Sequence, residues 1–217
     1  MRVPVLAAVA AVLLSLSGVA SAATLTLAGG SSGYTPAAKA KNDALKPLGF
    51  GKQLQGYYGA QVWLKGSAHV TFTLFGYEAG YTNKLFSGKN VLTGGGGHKF
   101  SKNGMGSFTL SNVAAGLLDF GFWTSGGKQT VKNGKNPDNT GRNPFPGINF
   151  FATFADTANS RKGNSLWLFF DDDGANNDDD HDDLVARVDV APVPVPAAGL
   201  LLLGALGGLA VLRRRQA

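Results

Sequence analysis

The sequence contains no cysteine. Disulfide bonds, thiol nucleophiles, thiolate zinc sites and iron–sulfur clusters are therefore excluded. It also lacks a phosphate-binding loop with its lysine. These absences remove cysteine-dependent enzymes and nucleotide-binding proteins of the P-loop type, and they favour a protein that is not an enzyme.

Acidic residues are scarce outside one short window. Once Arg2 and Arg213 to Arg215 are set aside, 16 lysines and arginines face 14 acids, and eight of those acids lie between Asp171 and Asp183. The lysines are scattered through glycine-rich segments, whereas a nucleic-acid-binding protein gathers its basic residues on one element. We therefore expect no nucleic acid partner. A mildly basic exterior is compatible with an anionic exopolysaccharide.

Long hydrophobic runs occur only at the two ends of the chain. At the N-terminus, Arg2 precedes an apolar run over 5–14, and Ala20 and Ala22 form a small-residue cleavage site. The apolar run is shorter than the ~20 residues of a membrane span. Residues 1–22 are therefore predicted to be a signal peptide that signal peptidase removes.

The C-terminal hydrophobic run covers 197–212 and is followed by Arg213, Arg214 and Arg215. As a helix it would be ~24 Å long, a little less than a ~30 Å hydrocarbon core. Three arginines next to the last apolar residue would hold that end in the cytoplasm. We predict one transmembrane helix in 192–217, with the body of the protein outside the cytoplasm.

The segment before this helix resembles a known sorting signal. It reads Val193, Pro194, Val195, Pro196 and Ala197. Together with the apolar run and the arginines, it resembles the C-terminal signal of the PEP-CTERM group. The most similar variant reads Val-Pro-Leu-Pro-Ala, with leucine where Val195 stands. The resemblance implies cleavage by an exosortase-type protease of the inner membrane and delivery to the cell surface or extracellular matrix of a Gram-negative bacterium.

Between these ends, 23–191 has a size suited to one domain, and its apolar residues recur with period two. We predict an all-β, jelly-roll-like β-sandwich, flanked by the N-terminal signal helix and the transmembrane helix. Only 37–45 looks helical, and 125–147 forms a long polar insert. The apolar members of the alternating sets include Val70, Phe72, Leu74, Phe120, Phe122, Ile148, Phe150, Leu166, Leu168, Phe170, Leu184, Ala186, Val188 and Val190.

The most conspicuous segment is the acidic run between two apolar strands at 171–183. So many carboxylates would repel one another without a counter-charge, and calcium takes six to eight oxygen ligands. An EF-hand is excluded, because setting Gly174 at loop position six puts Phe169 where an acid is required. A solvated acidic loop without an ion is the alternative. The predicted structural calcium ligands are Asp171, Asp173, Asn176, Asp178, Asp180, Asp182 and Asp183.

Two other features bear on the chemistry of this segment. His181 among carboxylates suggests zinc or manganese less strongly than calcium, because no second histidine is near it in sequence. The segment 76–83, similar to one in other exported proteins with such signals, is expected to end a strand in a tight turn. Glu78 and Asn83 would then shape the turn or join the ion site across the sandwich. Glu78 could instead be the acid of a glycosidase.

The sequence therefore predicts a non-enzymatic, calcium-stabilised matrix or adhesion module, exported and sorted to the surface. One alternative is a carbohydrate-binding module that stacks sugars on Tyr57, Tyr58, Trp63, Trp123 and Trp167, although the placement of these residues on strands favours core or inter-sheet packing for most of them. The other is a glycan hydrolase, which would need Glu78 about 5–9.5 Å from an aspartate. A Glu78 on a solvent-facing turn would exclude it.

Overall fold

A computed structural model describes residues 23–36, 41–138, 147–173, 179–193 and 205. Ala22–Ala191 form one compact unit, which is almost entirely β-structure with antiparallel pairing. The predicted all-β class is thus confirmed. Several predicted features lie outside the described residues: Ala20 and Ala22, Asn176 and Asp178, Pro194 to Ala197, and Arg213 to Arg215.

Within the described part of the chain, no helix is both long enough and apolar enough to cross a membrane.

The smaller sheet has four strands. They are β1 (Thr24–Ala28), β4 (Gln61–Lys65), β8 (Gly116–Leu117) and β12 (Lys162–Gly163), in the spatial order β12-β1-β4-β8. Leu25 and Leu64 face each other in the register of β1 with β4, and both are fully buried. Since alternate residues of a strand point to opposite faces, this pair marks the face of the sheet that joins the core.

The larger sheet has ten strands. They are β2 (Ser31–Thr35), β3 (Leu54–Tyr58), β5 (Ala68–Ser87), β6 (Asn90–Phe100), β7 (Gly106–Val113), β9 (Gly121–Thr124), β10 (Thr130–Lys132), β11 (Asn149–Thr153), β13 (Ser165–Asp171) and β14 (Leu184–Pro192). Eight of them follow the order β10-β9-β5-β14-β13-β11-β3-β2, while β6 and β7 also pair with β5.

The hydrophobic residues form two clusters. The main core takes side chains from both sheets, including Leu25, Phe72 and Phe170, and Phe170 stacks on Phe122 with ring centres 4.7 Å apart. A second cluster includes Phe151 and Phe169. The central strands β11 and β13 are therefore buried on both faces, which explains why β13 reads as a nearly continuous apolar run.

The helix prediction for 37–45 is wrong over 41–44 and holds among its described residues only at Leu45. Within the described residues of 23–193 there is one short helix, α1 (Leu45–Leu48), ended by Gly49 in the left-handed conformation. Asn42 Oδ1 accepts hydrogen bonds from the backbone amides of Ala44 and Leu45. This asparagine turn competes with helical hydrogen bonding, so the helix begins only after it.

The polar insert at 125–147 is tied to the core in its described part. It contains β10, and two of its asparagines are buried. Asn133 accepts a hydrogen bond from the backbone of Val62 in β4 at 2.8 Å and donates to the carbonyls of Val62 and Leu118. Asn136 exchanges two hydrogen bonds with the backbone of Phe150. These side chains supply backbone partners where strand pairing ends.

Candidate metal-binding site

The acidic segment joins the end of β13 to the start of β14, and β14 neighbours β5 in the sheet. Asp171 is the last residue of β13, and Leu184 is the first of β14. The backbone N–H of Glu78 in β5 donates to the carbonyl of Asp182 at 2.9 Å. The topology therefore brings the acidic segment against the middle of β5, a strand about one hundred residues earlier in the chain.

Four aspartates of this segment open onto one cleft of about 500 Å³. They are Asp172, Asp173, Asp180 and Asp183, and Glu78 lines the same cleft. Three of the four were among the predicted ligands, and Asp172 was not. The rest of the lining comes from Ala79, Gly80, Tyr81, Gly97 and His98. The structure thus gathers carboxylates on one surface, as a cation site requires.

Asn83 joins this group from β5. Its side chain is fully buried, and Nδ2 donates to Asp172 Oδ2 at 2.6 Å and to the Asp183 carbonyl at 3.3 Å. Asn83 Oδ1 is buried and has no hydrogen-bond partner among the described residues. A buried amide oxygen without a donor is unusual in proteins, and it is a type of ligand that calcium accepts.

Hydrogen bonds fix the backbone of the acidic segment against the neighbouring chain. Asp183 Oδ2 accepts from the N–H of Asp172 at 2.8 Å. The carbonyl of Asp180 accepts from Thr35 Oγ1 at 3.0 Å and from Asn42 Nδ2 at 2.6 Å. The carboxylates are thereby held close together although their charges repel.

The electrostatic result is a pair of carboxyl groups that resist ionisation. Burial, together with the charge of Asp180, raises the pKa of Asp182 to about 8. Burial, together with the charge of Asp172, raises the pKa of Asp183 to about 10. Without a cation, these two groups therefore carry protons at neutral pH, and a divalent cation would supply the same neutralisation.

The predicted ligand set is divided by the structure. Asp173, Asp180 and Asp183 line the cleft. The carboxylate of Asp182 accepts from the N–H of Asp43 instead. Asp171 is fully buried beside His181. A single ion bound by all the predicted aspartates is thus not the arrangement that the described residues show.

His181 occupies a dry site. Its ring is fully buried and packs on Tyr58 and Phe151, with ring centres 5.1 and 6.5 Å away. Nε2 lies 2.8 Å from Asn149 Oδ1. Burial lowers the pKa of His181 to about 3, and the nearby backbone of Asp179 only partly opposes this. The imidazole is therefore neutral at physiological pH.

Glu78 does not lie on a turn, so that prediction is wrong. It lies within β5, where the register with β6 shifts between Ala79 and Thr82. A β-bulge of this kind re-aims side chains without ending the strand. A Glu78 on a solvent-facing turn would have excluded a glycan hydrolase. Because Glu78 lies in a strand, the hydrolase alternative stays a prediction.

Glu78 is half-exposed, and a second small cluster surrounds it. His98 Nδ1 lies 3.5 Å from Glu78 Oε2 and 3.8 Å from Asp43 Oδ2. Burial and a hydrogen bond with Asp43 raise the pKa of Glu78, while a hydrogen bond from Lys41 lowers the pKa of Asp43. Of these two carboxyl groups, Asp43 therefore ionises more readily than Glu78.

Most of the aromatic residues predicted to stack on sugars serve in packing. Tyr57 and Tyr58 are buried, and Trp167 lies against Phe50 and Phe75 with ring centres 5.0 and 4.6 Å away. Trp63 and Trp123 are half-buried. A stacking surface built from all five aromatic residues is therefore ruled out by burial.

No protein-family model matches this chain, and neither a curated protein nor a solved structure matches it.

Proposed function

We propose that this chain is an exported, surface-sorted, non-enzymatic protein that acts in the extracellular matrix or in adhesion and is stabilised by calcium. The observation that carries the calcium part is the cleft in which Asp172, Asp173, Asp180 and Asp183 converge, together with Asn83, which bonds Asp172 and whose buried Oδ1 has no hydrogen-bond partner among the described residues. Its oxygen-only donor set suits a hard divalent cation.

Asp173, Asp180 and Asp183 would hold the ion together with Asn83, and calcium would supply the counter-charge that these residues need. Because Asn83 belongs to β5, an ion there would tie the β13–β14 connection to a third strand. Asp172 orients Asn83 through its hydrogen bond to Nδ2. Asn176 and Asp178 stay predicted ligands on the same loop.

We also propose that the two sheets form a jelly-roll-like β-sandwich. The support is that one hydrophobic cluster draws side chains from both sheets. Asn133 adds a polar link, because it follows β10 in the larger sheet and bonds the backbone of β4 in the smaller one. A sandwich of this kind would present the ion-binding loop at one end of the β13–β14 pair.

Thermal unfolding of the full chain in mild detergent tests the calcium proposal. Calcium at about one hundred times its dissociation constant should add ~2.7 kcal/mol and raise the unfolding midpoint by several degrees relative to excess chelator. The double variant Asp172→Asn, Asp183→Asn should lose the shift. The double variant Asp119→Asn, Asp156→Asn makes the same charge change elsewhere and should keep it. An equal shift in both variants would refute the site.

The surface-sorting proposal rests on the ends of the sequence and has its own test. Scrambling Val193 to Ala197 should leave the tailed protein in the inner membrane, because the protease would no longer recognise the motif. Val195→Leu, which makes the motif identical to the Val-Pro-Leu-Pro-Ala variant, is the control and should be released normally. Unchanged surface release of the motif variant would contradict the proposal.

A second candidate function, glycan binding, is favoured by the outer face of β6, β5, β9 and β10. Strand register places two rows of side chains on this face. They are Thr93, Lys84, Trp123 and Thr130, and Val91, Phe86, Gly121 and Lys132. The intervening residues Leu85, Phe122 and Val131 are buried. The two rows therefore face away from the core.

This face combines flat apolar groups with positive charge. Gly121 leaves room for the Phe86 ring, since a Cβ there would lie 2.7 Å from Phe86 Cζ. The ammonium of Lys84 lies 4.7 Å from the centre of the Trp123 ring, and Val91 is 48 % exposed. Aromatic rings flanked by lysines suit an anionic polysaccharide, whose sugar faces stack and whose carboxylates pair.

Affinity electrophoresis of the full chain in gels containing hyaluronate tests this second function, with neutral dextran as the comparison. We expect retardation by hyaluronate that falls in the double variant Lys84→Gln, Lys132→Gln. The double variant Lys99→Gln, Lys102→Gln removes the same charge elsewhere and should migrate like the wild type in hyaluronate. Equal loss in both variants would indicate non-specific charge attraction and contradict the proposed face.

A further inference from the structure

Three potential metal ligands meet around the buried ring of His181, and none of them is among the residues that line the calcium cleft. His181 Nδ1 lies 3.7 Å from Asp171 Oδ2 and 3.6 Å from Asp179 Oδ1. The three atoms all lie within 4.8 Å of one another. Asp171 and His181 are fully buried, whereas Asp179 is half-buried.

The hydrogen bond at the other ring nitrogen sets the tautomer. With the Asn149 amide in the orientation that the structure gives it, Oδ1 can only accept, so Nε2 carries the proton and donates across the 2.8 Å contact. Nδ1 of the neutral ring then holds a lone pair, and it has no hydrogen-bond partner among the described residues. Histidines that bind metal ions have this arrangement, in which the second nitrogen donates to a fixed oxygen.

The distances are too long for hydrogen bonds and suit a shared ion. Ligand atoms about 2.1 Å from one zinc-like ion are separated by about 3.4 Å in tetrahedral geometry and about 3.6 Å when the angle opens toward 120°. The separations at His181 Nδ1 correspond to the wider angle. Without a cation, the lone pair of Nδ1 faces two carboxylate groups, an arrangement that electrostatics disfavours.

We propose that His181 Nδ1, Asp171 and Asp179 form a second metal site, selective for a divalent transition-metal ion such as zinc or manganese. One imidazole and two carboxylates match that class, whereas calcium takes oxygen ligands. Asn149 is a positioning residue that holds the ring in the metal-binding tautomer. The site goes beyond the calcium proposal, since the cleft-lining aspartates do not belong to it.

Cobalt(II) is the probe that tests this site. Full chain stripped with chelator and kept in detergent should bind one equivalent of Co²⁺, give visible d–d absorption, and release the cobalt when Zn²⁺ is added. His181→Asn should abolish the absorption. His69→Asn is the matched control, because His69 belongs to neither cluster of potential metal ligands, and it should keep the absorption. Millimolar calcium should leave it unchanged, and so should the double variant Asp172→Asn, Asp183→Asn.

Two further measurements keep the proposal testable if His181→Asn does not fold. Asp179→Asn alters a half-buried ligand and should abolish or strongly weaken cobalt binding, while Asn149→Ala should weaken it about 10–100-fold. In the wild type, ¹⁵N resonances of His181 should show the Nε2–H tautomer, with Nδ1 shifting on addition of Zn²⁺. Cobalt binding that survives Asp179→Asn unchanged, or a ring protonated at Nδ1 toward the Asp179 backbone with no Zn²⁺ response, would overturn the proposal.

Discussion

Asp171 and Asp172 are neighbours in sequence but lie in two different chemical environments. Asp172 lines the cleft and contacts Asn83, while Asp171 is buried beside His181. The division falls at the end of β13, because Asp171 is the last residue of that strand and Asp172 is the first residue of the connection that follows it. One side gathers oxygen ligands around an open cleft, and the other combines imidazole with carboxylate in an apolar pocket. A single acidic run can thus supply two sites of different selectivity.

The largest expected effect is a difference between the two sides in pH dependence. In chelator, the carboxyl groups of Asp182 and Asp183 are protonated in the folded state. Above a pH of about 4 they lose these protons when the chain unfolds. The folded-state pKa values of about 8 and 10 mean that stability falls as pH rises toward those values. Both groups contribute to this fall. Saturating calcium should remove most of this fall.

His181 should act in the opposite direction. Its pKa is lowered to about 3 in the folded state. Below about pH 6.5 the imidazole therefore binds a proton in the unfolded chain but not in the folded protein. Stability from this group is present above that pH and is lost on acidification. Urea unfolding of the stripped full chain from pH 5 to 9 checks both signs. In His181→Asn the fall between pH 5 and 6.5 should be steeper than in the wild type, and an identical slope would contradict this account.

The next largest effect is expected for Asn83→Ala. This change removes a buried hydrogen bond to a carboxylate and leaves Asp172 without that donor, which should cost about 1–3 kcal/mol of unfolding free energy in chelator. It should also reduce the calcium-dependent shift but leave cobalt binding intact. Denaturant unfolding with and without calcium measures the first two effects.

Asn103→Ala is the matched control, because Asn103 lies in an exposed turn. It should change the unfolding free energy by less than about 0.5 kcal/mol and keep the full calcium shift. Equal losses in the two variants would show that Asn83 has no special relation to the cleft.

The sequence was sufficient for the strands that carry the acidic segment and for the clustering of Asp173, Asp180 and Asp183. Alternating apolar residues predicted β13 and β14, and local charge density pointed to a cation. It could not predict the contact between Asn83 and Asp172, because that contact depends on β5 lying next to β14. The sequence could suggest Asn83 as a ligand of the ion, but it could not show that Oδ1 of Asn83 is buried without a hydrogen-bond donor among the described residues.

The site around His181 was harder to foresee for a different reason. Asn149 and His181 are 32 residues apart and are joined only when β11 pairs with β13. A histidine within a run of aspartates is expected to be exposed to solvent, yet the ring of His181 packs against Tyr58 and Phe151. The backbone is left-handed at Asp179 and His181, and Asp and His adopt this conformation too rarely for the sequence alone to predict it at these two positions.

The smallest expected effect comes from Asp183→Asn, and its sign should depend on calcium. In chelator at pH 8, the variant no longer has to retain a proton on a crowded carboxyl group, while its amide oxygen can still accept the hydrogen bond from the N–H of Asp172. Its stability should therefore equal or exceed that of the wild type by about 1 kcal/mol. In saturating calcium the order should reverse, because a charged ligand has been lost.

Thermal unfolding of both proteins at pH 8, with chelator and with calcium, measures this reversal, and Asp119→Asn, at an exposed position, should behave like the wild type in both conditions. A variant that is less stable in both conditions would assign Asp183 a structural hydrogen-bonding role alone. The reversal distinguishes a carboxylate that binds an ion from one that only stabilises the fold. Only the ion-binding carboxylate lowers the stability of the protein when the ion is absent.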